Sequence, residues 1–92
     1  IEPYSFSKLS HLLFLTLAEN NLTHLHNLTF SNVSRLLKLS LKNNFLEYIQ
    51  SNLFDSLVNL NELNLSFNNL RFIDDFAFKN LRYLKLLLLE MN

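Results

Sequence analysis

His24 and His26 bracket Leu25, and a His-x-His pair is the first pattern in this sequence that suggests chemistry, because two imidazoles can begin a metal site. A zinc site needs three or four ligands. Neither a cysteine nor a suitably placed carboxylate completes this one, so the pair reads as two exposed turn residues and no metal is expected. His11, just before Leu12, reads as another surface imidazole, and together the three histidines offer sensitivity to mild acid. Asp74-Asp75 is the second candidate. Adjacent carboxylates without a pocket, a nucleophile or an oxyanion-stabilising nest do not make an acid–base site, so a solvated turn after Ile73 is expected. With no glycine there is no phosphate-cradling loop, and with no cysteine no thiol nucleophile and no disulfide framework. No Ser–His–Asp set has positional logic. Neither catalysis nor a cofactor is expected.

Modification chemistry is better represented. Four N-x-Ser/Thr acceptors occur, at Asn21, Asn27, Asn32 and Asn64, where chance in so Asn- and Ser-rich a chain supplies roughly two. Asn21, Asn27 and Asn32 fall on expected turn or return segments, where a glycan projects into solvent. Asn64 alternates with Leu63 and Leu65, which puts it on the outer face of a strand, where a glycan would obstruct a ligand.

The elements that must position these residues follow from a repeat. Asn20, Asn44, Asn68 and Asn92 form one column; Ile1, Leu25, Ile49 and Ile73 another; Phe6, Phe30, Phe54 and Phe78 a third, all at a spacing of 24. A fixed period of about 20 to 30 residues implies stacked supersecondary units. The frame gives full repeats at 12–35, 36–59 and 60–83, with partial ones at 1–11 and 84–92. Solenoids need polar caps, so the chain is expected to be an excerpt of a longer array, or part of a fusion or complex.

Within each repeat, Leu-x-Leu alternation predicts a half-buried strand: Phe14–Ala18, Lys38–Lys42, Glu62–Ser66 and Leu86–Glu90. The remaining residues allow a turn and a return, so the strands should stack in parallel as one concave sheet. Phenylalanines arriving late in each repeat should fill the far side of the core. The asparagines should satisfy backbone groups freed by the turn, since a buried amide is costly without partners.

Outward strand positions are left free by packing: Phe14, Thr16 and Ala18; Lys38, Ser40 and Lys42; Glu62, Asn64 and Ser66; Leu86, Leu88 and Glu90. They form the expected ligand surface. Lys38 and Lys42 beside Glu62 make either a cross-strand ion pair, worth little at a surface, or a grip on an acidic ligand group. Leu86 and Leu88 imply a contact site or a distorted last coil. Phe45, Phe67 and Phe72, beside the Asn turn, offer a second apolar flank.

Net charge is zero and dispersed, so no nucleic-acid or membrane-surface signature exists. The longest apolar run, Leu86 to Leu89, is too short to span a bilayer.

The segment from Leu36 to Ile49, followed by Phe54, Leu57 and Leu60, resembles the leucine-rich repeat pattern LxxLxLxxNxLxxI with its later Phe and Leu positions. It is most similar to the typical extracellular subclass, found in Toll-like receptor ectodomains, neuronal adhesion receptors, small leucine-rich proteoglycans and variable lymphocyte receptors. Plant-type repeats would place Gly and Ile-Pro after the Asn column, and the chain has no Gly. The resemblance implies an α/β solenoid with a parallel concave β-sheet and an irregular or short-helical convex side. It also implies non-catalytic recognition of a protein or other macromolecular ligand, neighbouring repeats or caps, and receptor dimerisation as an option. The setting it implies is a cell-surface or endosomal receptor ectodomain. A secreted matrix or adhesion scaffold is the alternative, with an intracellular regulatory array a further one.

Overall fold

Alternating leucines give each repeat one short strand. In the computed structural model, which describes residues 1–92, six strands are numbered in chain order: β1 (Phe14–Thr16), β2 (Lys38–Ser40), β3 (Tyr48–Ile49), β4 (Glu62–Asn64), β5 (Phe72–Ile73) and β6 (Leu86–Leu88). Strands β1, β2, β4 and β6 pair in parallel in that order. Leu15 lies beside Leu39, Leu39 beside Leu63 and Leu63 beside Leu87, so the apolar face keeps register across all four coils.

The main strands begin where the sequence predicts but end sooner, at Thr16, Ser40, Asn64 and Leu88. Ladder bonds nevertheless continue: Leu17 N–H donates to the Ser40 carbonyl at 2.8 Å, and Glu19 N–H to that of Lys42 at 2.9 Å. What stops the strand is a left-handed residue in every coil, with φ of 59° at Glu19, 57° at Asn43, 58° at Phe67 and 55° at Met91. A side chain in that region costs about 1–2 kcal/mol, and with no glycine available the stacked ladder must hold it there. One outward position departs from expectation. Ser66 does not face outward but is buried, its Oγ accepting a hydrogen bond from Glu90 N–H at 3.2 Å.

Each asparagine side chain then closes its turn, and from Asn44 onward also fastens it to the coil before. Asn68 Nδ2 donates to Leu65 O of its own coil (3.0 Å) and Leu41 O of the previous one (3.1 Å), while its Oδ1 accepts from Leu46 N–H at 3.0 Å. Asn44 repeats this with Leu41 O, Leu17 O and Leu22 N–H, and Asn92 with Leu89 O, Leu65 O and Leu70 N–H. Asn20, in the first coil to carry the turn, bonds only to Leu17 O and Ala18 O of its own coil.

On the far side, Phe6, Phe30, Phe54 and Phe78 stack at centroid distances of 6.2, 6.1 and 6.2 Å. Phe30 and Phe54 are fully buried; Phe6 and Phe78, at the two ends, are half-buried. The return arms are chains of turns rather than short helices, as in Leu57 N–H to Phe54 O and Leu60 N–H to Leu57 O. About ten residues per arm fall short of the roughly 12–15 at which a helix begins to hold itself. A feature absent from the expectations is a second, two-stranded parallel sheet of β3 and β5, pairing Tyr48 with Phe72 and Ile49 with Ile73. No helix is long and apolar enough to cross a membrane.

Because Phe54 lies between two other rings, Phe54→Ala leaves a cavity with few routes to collapse and is expected to cost about 3–5 kcal/mol. Chemical denaturation followed by circular dichroism measures this. An unchanged midpoint would mean that the column does not carry the core.

Candidate functional site: the outer face of the parallel sheet

Strand pleating sends the residues between the buried leucines outward, and the register assembles them into two rows. Phe14, Lys38, Glu62 and Leu86 lie side by side in one; Thr16, Ser40, Asn64 and Leu88 form the other. Six of these eight, all but the two leucines, line a shallow depression of about 530 Å³. At one edge the Phe14 ring is 59% exposed, and at the other Leu86 is 44% exposed.

Charge sits between these apolar edges. Lys38 Nζ lies 3.6 Å from the Glu62 carboxylate and 5.7 Å from the centre of the Phe14 ring. Lys42 is not part of that pair: its Nζ lies over the exposed Phe67 ring at 5.4 Å. Below Ser40 and Asn64 the polar atoms turn inward to the chain, with Ser40 Oγ accepting from Lys42 N–H at 3.4 Å and Asn64 Oδ1 from Ser66 N–H at 3.0 Å. The face is therefore an open, mixed surface suited to a broad contact, and it assembles no nucleophile, base and oxyanion donors in reach of one another.

The other residues singled out by sequence lie elsewhere. His11 Nδ1 accepts from Arg35 at 2.8 Å, His26 Nδ1 accepts from Leu28 N–H at 3.0 Å, and His24 Nδ1 contacts Thr23 Oγ1 at 3.1 Å. No three metal-ligating side chains converge. Asp74 is half-buried, bonded to Phe76 N–H and to the Tyr48 hydroxyl. Of the four sequon asparagines, Asn21, Asn27 and Asn32 are exposed and Asn64 is half-buried. Asn32 spends its amide on Ser7 O at 2.6 Å in the preceding coil. Thr29, which completes the Asn27 acceptor, is fully buried, and its hydroxyl has no partner.

Of the apolar flank, sequence reasoning found Phe72 but missed its partner Tyr48. Tyr48 and Phe72 stack at 5.3 Å across β3 and β5, 44% and 57% exposed. Their shared spacing of 24 was the available signal. It also missed the ties from Asn59 to Ser34 O and from Asn80 to Asp55 O, which join adjacent return arms.

Stacked parallel strands, one asparagine-closed turn per coil and a leucine interior define the class, and the chain belongs to the leucine-rich repeat family, whose model matches residues 15–70. Among solved structures it is similar to a chain of the Toll–Spatzle complex of Drosophila, described as a molecular hub in development and innate immunity and determined in glycosylated form. The likeness is 38% identity at a TM-score of 0.89, over 91% of this chain and 11% of that one. It is also similar to a chain of the TLR13–ssRNA13 complex, with 27% identity and a TM-score of 0.64 over 97% of this chain and 16% of the other. The chain thus spans a small part of each. No curated protein sequence matches it significantly.

The Lys38–Glu62 pair is 58% and 32% exposed at its two side chains, and such pairs contribute about 0–1 kcal/mol. Glu62→Gln should therefore move the denaturation free energy by less than about 1 kcal/mol. A larger loss would make the pair a structural element and remove the reason to regard its residues as free for recognition.

Proposed function

We propose that this segment recognises a macromolecular partner, without catalysis, as part of an extracellular receptor ectodomain of the Toll-like kind. Repeats 12–35, 36–59 and 60–83 are its units, with 1–11 and 84–92 belonging to the coils on either side. The partner lies across Phe14, Thr16, Lys38, Ser40, Glu62, Leu86 and Leu88, with Lys42 at the margin. Asn21, Asn27, Asn32 and Asn64 are candidate glycan carriers, and dimerisation of the receptor is compatible with the flank at Tyr48 and Phe72.

The observation that carries this reading is the composition of the outer rows. Phe14, Lys38, Glu62 and Leu86 stand side by side in a row whose residue types packing does not set, and aromatic and apolar anchors at the centre of a contact are what binding surfaces use. The likeness to chains from the Toll–Spatzle and TLR13–ssRNA13 complexes adds support, since each of those was determined with a macromolecule bound.

Photo-crosslinking tests it. A photoreactive residue placed at Thr16 or Ser40 of the full chain, in its own cells, is expected to give discrete adducts with a single macromolecule, and the same residue at Lys79, on a return arm, none. Adducts from Lys79 alone, or from neither face, would contradict the reading.

A further inference from the structure

Thr29 is the one buried side chain in the chain whose polar atom has no partner. Among equivalent positions, Ser5 in the preceding coil is exposed and its Oγ donates to Glu2 O at 2.6 Å, while Leu53 and Ala77 in the next two coils are buried and apolar. Valine has the same shape and would remove an unpaired polar group from the core, where such groups are costly. Unlike Ser5, then, Thr29 carries a buried hydroxyl that bonds to nothing in the fold. The residue two positions earlier is Asn27, exposed and on a turn, whose amide makes no hydrogen bond to the protein. An acceptor for N-linked glycan is defined by these two groups together.

The other three acceptors differ. The Asn32 amide is committed to Ser7 O. In the Asn64 acceptor the Ser66 hydroxyl is used to hold Glu90 N–H, and Asn64 Oδ1 accepts from Ser66 N–H. Asn21 has a free amide, but its Thr23 hydroxyl is exposed beside His24 and so carries no unexplained cost. Only at Asn27 does the fold bear a burden that the modification would explain.

We infer that Asn27 is N-glycosylated, and that the transfer occurs before the coil around Thr29 closes. The inference rests on the secretory setting proposed above. In the transfer, Asn27 Nδ2 exchanges one hydrogen for a bond to the anomeric carbon of an oligosaccharide. The bond from that carbon to a lipid-linked pyrophosphate breaks, and the pyrophosphate leaves with the electron pair and the displaced proton is taken up by base. The enzyme must read the Thr29 hydroxyl, which is inaccessible once folded. The finished glycan would cover the return-arm cleft that Asn27 shares with His26, Asn52 and Asp55.

The test is site-resolved mass spectrometry of the full chain secreted from a eukaryotic cell, with enzymatic deglycosylation in heavy-oxygen water to mark each formerly occupied asparagine. Label at Asn27 is expected. An unlabelled Asn27 with label at another acceptor overturns the inference and leaves the secretory setting intact, whereas no label at any of the four overturns both. Thr29→Val should abolish the Asn27 label while the unfolding midpoint, compared after deglycosylation, stays level or rises; a fall would show that the hydroxyl serves the fold. Microsomes charged with lipid-linked donor should modify Asn27 in the unfolded, bacterially made chain and not in the folded one. Equal transfer to both would overturn the timing.

Discussion

In every coil from Asn44 onward one side-chain amide bonds in two directions at once, and the stack depends on it. A carboxamide has two N–H donors and an acceptor oxygen. At Asn44 and Asn68 these face one carbonyl of the same turn, one carbonyl of the coil before and one N–H of that earlier coil. Aspartate could not donate and leucine could not bond at all. The turn that these bonds close is the left-handed one that ends each strand, so the amide column, the strand length and the parallel register are a single constraint.

That constraint frees the rest of the surface. With the leucines inside and the phenylalanines stacked on the far side, the core is filled by columns, and the outer rows of the sheet carry residues that no column requires. A Phe, a Lys, a Glu and a Leu lie adjacent in one such row, where a structural role would have favoured the same residue four times. The variation along that row, against the uniformity of the Leu15, Leu39, Leu63 and Leu87 row beneath it, is the contrast on which the proposed recognition surface rests.

Much of this was legible because a solenoid puts identical chemistry at identical spacing: the amide, leucine and phenylalanine columns, the parallel sheet and its outward rows all follow from the period. What was not legible depends on geometry finer than the period. The second sheet has strands of two residues, Tyr48–Ile49 and Phe72–Ile73, too short for alternation to be seen. Ser66 alternates as an outward residue, yet alone among its column it is buried, its short side chain holding Glu90 N–H of the next coil. The inter-arm ties of Asn32 and Asn80 do share a column, but Ser56 interrupts it between them and Asn59 stands outside it, and the buried hydroxyl of Thr29 stands at a position that is apolar in the next two coils.

Amide hydrogen exchange at Leu46 tests the central claim most directly, because its N–H is held by the side chain of Asn68 in the following coil and by no strand ladder. Protection at Leu46 equal to that of the ladder amides of Leu41 and Leu65 is expected in the native chain, with selective loss in Asn68→Ala beyond any general loss of stability. Exchange at Leu46 as fast as in an exposed turn, or unchanged by Asn68→Ala, would contradict it.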